Sequence, residues 1–231
     1  MIISAPFGNY LTLPGCTSTI GTFTAAPRPG RWWQVAKTVR YNRRQQSWIN
    51  KIGLRNPGIG SITYDQSKNK IISIHGFNAD EWYLLTKHVE RLQPIAVEFN
   101  VSCPNVGEPS WHELPLSMMK RLIDVGKIVI VKLPPVDWMR IAKPCWEAGV
   151  RDFHCCNTIP TPGGGISGKP LMQYSLWCVR EMRATFPNAY LIGGGGVTTL
   201  DDVTTYMRAG ATDVAIGSVL FNPFKWKTFS K

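Results

Sequence analysis

Residues 128–156 read I-V-I-V-K-L-P-P-V-D-W-M-R-I-A-K-P-C-W-E-A-G-V-R-D-F-H-C-C, and this stretch decides the fold. An apolar, β-branched run (128–133) leads into a segment of helical spacing (137–149) that ends on Gly149, and a second apolar run follows (150–156). Strand, helix, strand in that order is a parallel unit, because a parallel neighbour can be reached only through a long crossover. The unit recurs: apolar runs at 71–74, 95–101, 189–192 and 213–216 alternate with helix candidates at 79–92, 115–125, 170–186 and 199–209. Asp80 and Asp201 suit helix starts, and Gly149 and Gly210 suit the stops. Strands near 1–5 and 18–24 bring the number to eight. The expectation is α/β, a compact parallel (β/α)8 TIM-type barrel forming a single domain over 1–231, with its active site at the C-terminal ends of the strands. Short connections leave little room for the first and second helices, which should be reduced.

Composition bounds the function. Hydrophobic residues make up 44% and charged residues 18%, a globular balance. No run approaches the roughly 20 apolar residues that cross a bilayer, and the start, M-I-I-S-A-P-F-G-N, lacks the features of a secretion signal. The cytoplasm is the expected location. The six cysteines include no C-x-x-C pair, so reduced thiols are expected and no metal site. The net charge of +11 favours anionic ligands. Part of it is concentrated at 25–60, where Arg28, Arg31, Lys37, Arg40, Arg43, Arg44, Lys51 and Arg55 are interleaved with Trp32, Trp33, Tyr41 and Trp48. That mixture could bind a nucleic acid, but an irregular, solvated connection whose aromatics cover the barrel is the preferred reading. Leaving strand two on the catalytic side, it is a candidate lid.

Polar residues break the apolar pattern at three strand ends. In V-E-F-N-V-S-C-P-N-V-G (97–107), alternation sends Val97, Phe99 and Val101 towards the helices and Glu98 and Asn100 into the barrel. Ser102, Cys103, Pro104 and Asn105 then reach its mouth. Lys132 shares a face with Ile128 and Ile130, and an ammonium there requires an anion or another electron-rich partner. Asn157-Thr158 closes the sixth strand. Glycine-rich turns at 193–196 and at Gly217-Ser218 follow strands seven and eight, where barrels of this class commonly hold phosphate. Gly163 to Gly168 adds a glycine-rich segment expected to be a flexible loop.

The segments I-N-K-I-G-L-R-N-P-G (49–58), E-F-N-V-S-C-P-N (98–105), V-K-L-P-P (131–135), C-N-T (156–158), G-G-I-S-G (164–168) and I-G-S (216–218) resemble the dihydroorotate dehydrogenases in order and spacing. The resemblance implies FMN across the barrel top and oxidation of (S)-dihydroorotate to orotate in pyrimidine biosynthesis. It implies cofactor contacts at Ala5, Thr22, Asn100, Lys132, Gly168, Gly195, Gly196, Gly217 and Ser218. Substrate contacts fall at Asn50, Gly53, Leu54, Asn105, Asn157 and Thr158, and the base at Cys103. Cysteine rather than serine there marks the soluble branch. The chain departs from the pattern at two positions: Gly21 and Asn9 stand where branches of the family carry a lysine. An arginine from the basic segment, such as Arg28, is a candidate replacement.

Fumarate, a partner flavoprotein, a quinone or oxygen remain open as electron acceptor, and a homodimer is an open expectation. A flavin-binding relative with weakened or no catalysis is one alternative. An RNA-modifying flavoenzyme resembling the dihydrouridine synthases is another; N-x-S-C-P-N disfavours it, and nucleic acid is not the expected partner.

Overall fold

The computed structural model describes residues 1–103 and 114–230. Eight strands close into a parallel barrel: β1 (Ile2–Ile3), β2 (Thr17–Phe23), β5 (Ile71–Ile74), β6 (Ala96–Phe99), β7 (Ile128–Lys132), β8 (Asp152–Cys155), β11 (Tyr190–Gly194) and β12 (Asp213–Ile216). β12 pairs with β1 and β1 with β2, so no edge is left open. The expected TIM-type barrel is the fold. Outside it pack α3 (Ala79–Arg91), α4 (Leu116–Asp124), α5 (Met139–Glu147), α6 (Lys169–Thr185) and α7 (Leu200–Arg208). The first crossover holds only a short 3-10 turn at Phe7–Asn9, and the second ends in the one-turn helix α2 (Tyr64–Ser67). A final short helix, α8 (Trp226–Phe229), follows the last strand.

Local signals set these boundaries. Gly149 and Gly210 lie just beyond α5 and α7 with φ of 99° and 107°, a region that side-chain-bearing residues avoid. The N-caps are Asn78, which accepts from the Glu81 amide, and Thr199, which forms a capping box with Asp202. Asp80 and Asp201 sit in the first turn, where their charge favours the helix N-terminus.

Alternation along the strands divides the core in two. Val97, Phe99, Val129, Val131, Phe153 and Leu191 face the helices and build the larger apolar cluster. Ile2, Ile71, Ala96, Ile130, Ile192 and Ala215 fill the barrel. Above this apolar layer the interior turns polar, and that change of character positions the site.

Two expectations are corrected. The 25–60 segment is not irregular: it carries helix α1 (Arg31–Thr38) and the hairpin β3 (Arg40–Asn42) with β4 (Ser47–Asn50). The glycine-rich 163–168 stretch is not a flexible loop either. All of it but Gly163 forms β10 (Gly164–Gly168), which pairs with β4 and with β9 (Ile159–Thr161) in a second, antiparallel sheet of order β3-β4-β10-β9. The glycines answer to close packing rather than mobility. A Cβ at Gly164 would lie 2.2 Å from the Asn50 carbonyl oxygen, and one at Gly168 would lie 2.4 Å from that of Gln46. A backbone this crowded admits only glycine.

Asn56 fastens this roof to the barrel. Its buried Oδ1 accepts from the amides of Thr24 (3.2 Å) and Gly58 (2.8 Å), while Nδ2 donates to Thr24 Oγ1 (2.9 Å) and the Leu54 carbonyl (2.7 Å). Asn56→Ala leaves two buried amides without acceptors and should cost about 2–4 kcal/mol. Urea denaturation measures this, and limited proteolysis should show cleavage moving into 25–60.

Candidate active site

The C-terminal ends of the barrel strands and the underside of the roof enclose one cavity of about 470 Å³. Ala5 follows β1 and Thr22 belongs to β2. Asn100 and Cys103 follow β6, Lys132 ends β7, and Asn157 and Thr158 follow β8. Gly195 and Gly196 follow β11, and Gly217 and Ser218 follow β12. Asn50, Gly53, Leu54 and Gly168 come down from the roof. All of these residues lie on the cavity wall. Asn105 falls outside the described residues.

A chain of buried hydrogen bonds ties five strands (β2, β5, β6, β7 and β8) together beneath the cavity. Thr22 Oγ1 meets Ser73 Oγ at 2.9 Å and accepts from Asn100 Nδ2 at 3.0 Å. Asn157 Nδ2 donates to Asn100 Oδ1 at 2.9 Å and to Ser102 Oγ at 3.3 Å. Ser102 in turn donates to the Lys132 carbonyl at 2.8 Å, and Asn157 Oδ1 accepts from the Thr158 amide at 2.9 Å. Each amide is oriented by fixed neighbours, so its remaining donors and acceptors are aimed rather than averaged.

Below that chain sits a charged group. Glu98, Lys132 and His154 are all buried. His154 Nδ1 donates to Glu98 Oε2 at 2.7 Å, and Lys132 Nζ stands 3.9 Å from Glu98 Oε1, which has no hydrogen-bond partner among the described residues. Burial pushes the Glu98 carboxyl up, but the Lys132 ammonium and the His154 hydrogen bond outweigh it and bring the pKa down to about 2. Burial, helped by Lys132, lowers the His154 pKa, so the ring is neutral with its proton on Nδ1. His154 went unnoticed in the sequence, although alternation in D-F-H-C-C puts it on the inner face opposite Phe153.

Two thiols reach the cavity, Cys103 and Cys156. Burial pushes the Cys156 thiol far up, so it remains protonated. The wall contains no carboxylate among the described residues, and its cations are Lys132, Arg31 and Arg55. Arg28 is not on that wall. It lies over the Phe77 ring and donates to the Gly53 carbonyl on the far side of the roof. No metal-binding cluster occurs among the described residues.

The two positions that depart from the lysine pattern are used together. The Asn9 side chain accepts from the Gly21 amide at 2.9 Å and donates to the Gly21 carbonyl at 2.8 Å. Gly21 has a φ of 111°, and a Cβ there would lie 2.4 Å from the Ser73 carbonyl oxygen. No side chain fits, so a lysine cannot simply be restored. Gly21→Ala should lower stability by about 1–3 kcal/mol, read as a fall in the urea midpoint.

Glu98→Gln leaves the Lys132 ammonium without its counter-charge. It should destabilise the protein at pH 7 by roughly 3–5 kcal/mol. A carboxyl depressed in the folded state stabilises above its ordinary value of 4.5 and loses that contribution as pH falls towards about 2. The gap between wild type and variant should therefore close over that range in urea titrations at stepped pH.

The family model described as dihydroorotate dehydrogenase matches residues 10–162 and 152–228. Over 249 residues the chain is 28% identical to the dihydroorotate dehydrogenase B (NAD(+)) catalytic subunit of Thermotoga maritima, with 96% of this chain and 90% of that one covered. It is 31% identical over 221 residues to the protein of the same name from Oceanobacillus iheyensis, covering 81% and 71%. The crystal structure of the DHODH of Eimeria tenella in complex with ferulenol shares the fold, with a TM-score of 0.74 at 19% identity over 92% of this chain and 72% of that one. By its sequence the chain belongs to the dihydroorotate dehydrogenase family.

Proposed function

We propose that this protein is an FMN-dependent enzyme that oxidises (S)-dihydroorotate, with Cys103 as the base. The observation that carries the reading is the convergence of Cys103, Lys132, Asn50, Asn100 and Asn157 on one cavity that has no carboxylate among the described residues. An anionic cofactor and an anionic substrate both suit such a wall.

The donor set fits FMN. Gly195, Gly196, Gly217 and Ser218 offer backbone amides and a hydroxyl at one end, beside the uncapped start of α6 at Gly168, where a phosphate would be held. Lys132, Asn100 and Thr22 would meet the ring. Bound there, FMN would supply the two-electron acceptor for the substrate hydride. Cys103 would take the proton from the carbon beside the carbonyl, and Asn50, Asn157 and Thr158, with the backbone of Gly53 and Leu54, would orient a planar pyrimidine. The neutral Nδ1–H of His154 holds the Glu98 carboxylate, and that carboxylate faces Lys132. The relatives are named NAD(+)-type catalytic subunits, which supports a partner subunit passing electrons to NAD(+) here as well. Among the described residues no helix is long and apolar enough to cross a membrane, and a cytoplasmic setting belongs to the proposal.

The Gly21 backbone favours a second reading, flavin binding with weak turnover, because the lysine that the family resemblance implies at this position has no room here. Arg31 and Arg55 are the cations that could offset it. Purified protein should be yellow, and dihydroorotate should bleach it under anaerobic conditions. Cys103→Ser should slow that bleaching by about 10²- to 10⁴-fold while the flavin stays bound. Bound flavin that dihydroorotate leaves oxidised would favour the second reading, and a protein that takes up no FMN would sink both.

A further inference from the structure

On the opposite side of the roof lies a second cleft of about 540 Å³, between the C-terminal half of α1, the segment after β4 and the β9–β10 turn. Four cations reach it from three stretches of chain: Arg28, Lys37, Lys51 and Arg55. Among the described residues its wall has no Asp or Glu. The sequence explains why: the first carboxylate in the chain is Asp65, so the segment that supplies all four cations carries no acidic residue of its own. Among the described residues none of the four cations is paired with a carboxylate. Arg55 is tethered through Nη1 to the Pro29 carbonyl, while its buried Nε has no hydrogen-bond partner among the described residues. Arg28 is held by the Gly53 carbonyl through Nε, which leaves its terminal nitrogens for another acceptor.

Four like charges around one cleft repel one another, and two of them are fixed in place by backbone carbonyls rather than free to swing apart. Such an arrangement is relieved by an anion. Two guanidinium groups with two ammonium groups match the oxygens of a phosphoryl group, and the cleft has nucleotide-sized room. We propose that this cleft is a binding site for a small phosphate-bearing molecule, distinct from the cavity that holds the reacting groups. Ile52, Gly53 and Arg55 belong to both walls. A ligand that draws in Arg55 therefore acts directly on the segment that closes the substrate end of the cavity, which makes the cleft an effector site.

The test is calorimetric titration of the full chain, saturated with FMN, with inorganic pyrophosphate and with nucleoside 5′-monophosphates. Unphosphorylated nucleosides and a single-stranded oligonucleotide serve as controls. One phosphate-bearing probe should bind with a stoichiometry of one and weaken as salt is raised. Lys37 and Lys51 are exposed and lie off the reacting cavity, so the double variant K37Q/K51Q should fold and keep its FMN. It should bind the probe about 10- to 100-fold more weakly. Absence of binding, equal binding by the double variant, or equal binding of the unphosphorylated nucleoside would overturn the proposal. So would tighter binding of the oligonucleotide than of any small phosphate, which would make the surface a nucleic-acid site. The result is independent of the proposed enzyme activity: a chain that takes up no FMN can be titrated in the same way, and the double variant still assigns the heat to the cleft.

Discussion

A closed cylinder of eight parallel strands has an interior that only side chains can fill, and whatever enters it is cut off from water. The lower part of this barrel obeys the simple rule, with Ile2, Ile71, Ala96, Ile130, Ile192 and Ala215 in contact. The upper part does not. There Glu98, Lys132 and His154 share a small volume, and neither of the two charges would be tolerated alone. The carboxylate is stable because an ammonium and an imidazole N–H face it, and the ammonium is stable because the carboxylate does. The whole floor of the cavity rests on that mutual dependence, since Lys132 and the strand ends around it are held by the same buried network.

The roof solves a different problem. A barrel mouth lined by asparagines and a thiol would be open to water, and the second sheet and α1 close it. The covering segments, 25–60 and 159–168, contain no Asp or Glu, and the cavity beneath and the cleft above are both free of carboxylates among the described residues. The polarity of the site is thus set as much by the covering segment as by the strands.

The barrel was legible because its signals are local. Period-two apolar runs, helical spacing and glycine stops recur through most of the chain, and no long-range contact is needed to read them. The inward residues were legible for the same reason: alternation alone sends Glu98, Asn100 and Lys132 inside. What escaped was everything that depends on pairing between distant segments. The glycines at 164 and 168 read as freedom because their neighbours, Asn50 and Gln46, lie more than a hundred residues earlier. Gly21 read as a missing cation, since nothing in the sequence shows that the Ser73 carbonyl occupies the space. His154 could have been found by the alternation that found Lys132. Its partner could not, because Glu98 becomes its neighbour only when the barrel closes.

The β4–β10 ladder joins residues 47–50 to residues 165–168, two parts of the chain that leave the barrel from different strands. A flap hinged at one pair of ends swings on fast local motion. Here Asn50 and Gly168, both on the cavity wall, are carried by opposite partners of one ladder. Any opening must either move both partners as a unit or break their backbone pairing. Opening of the chamber through this roof is then a collective displacement on the slower, microsecond-to-millisecond scale, whatever the speed of the chemistry below.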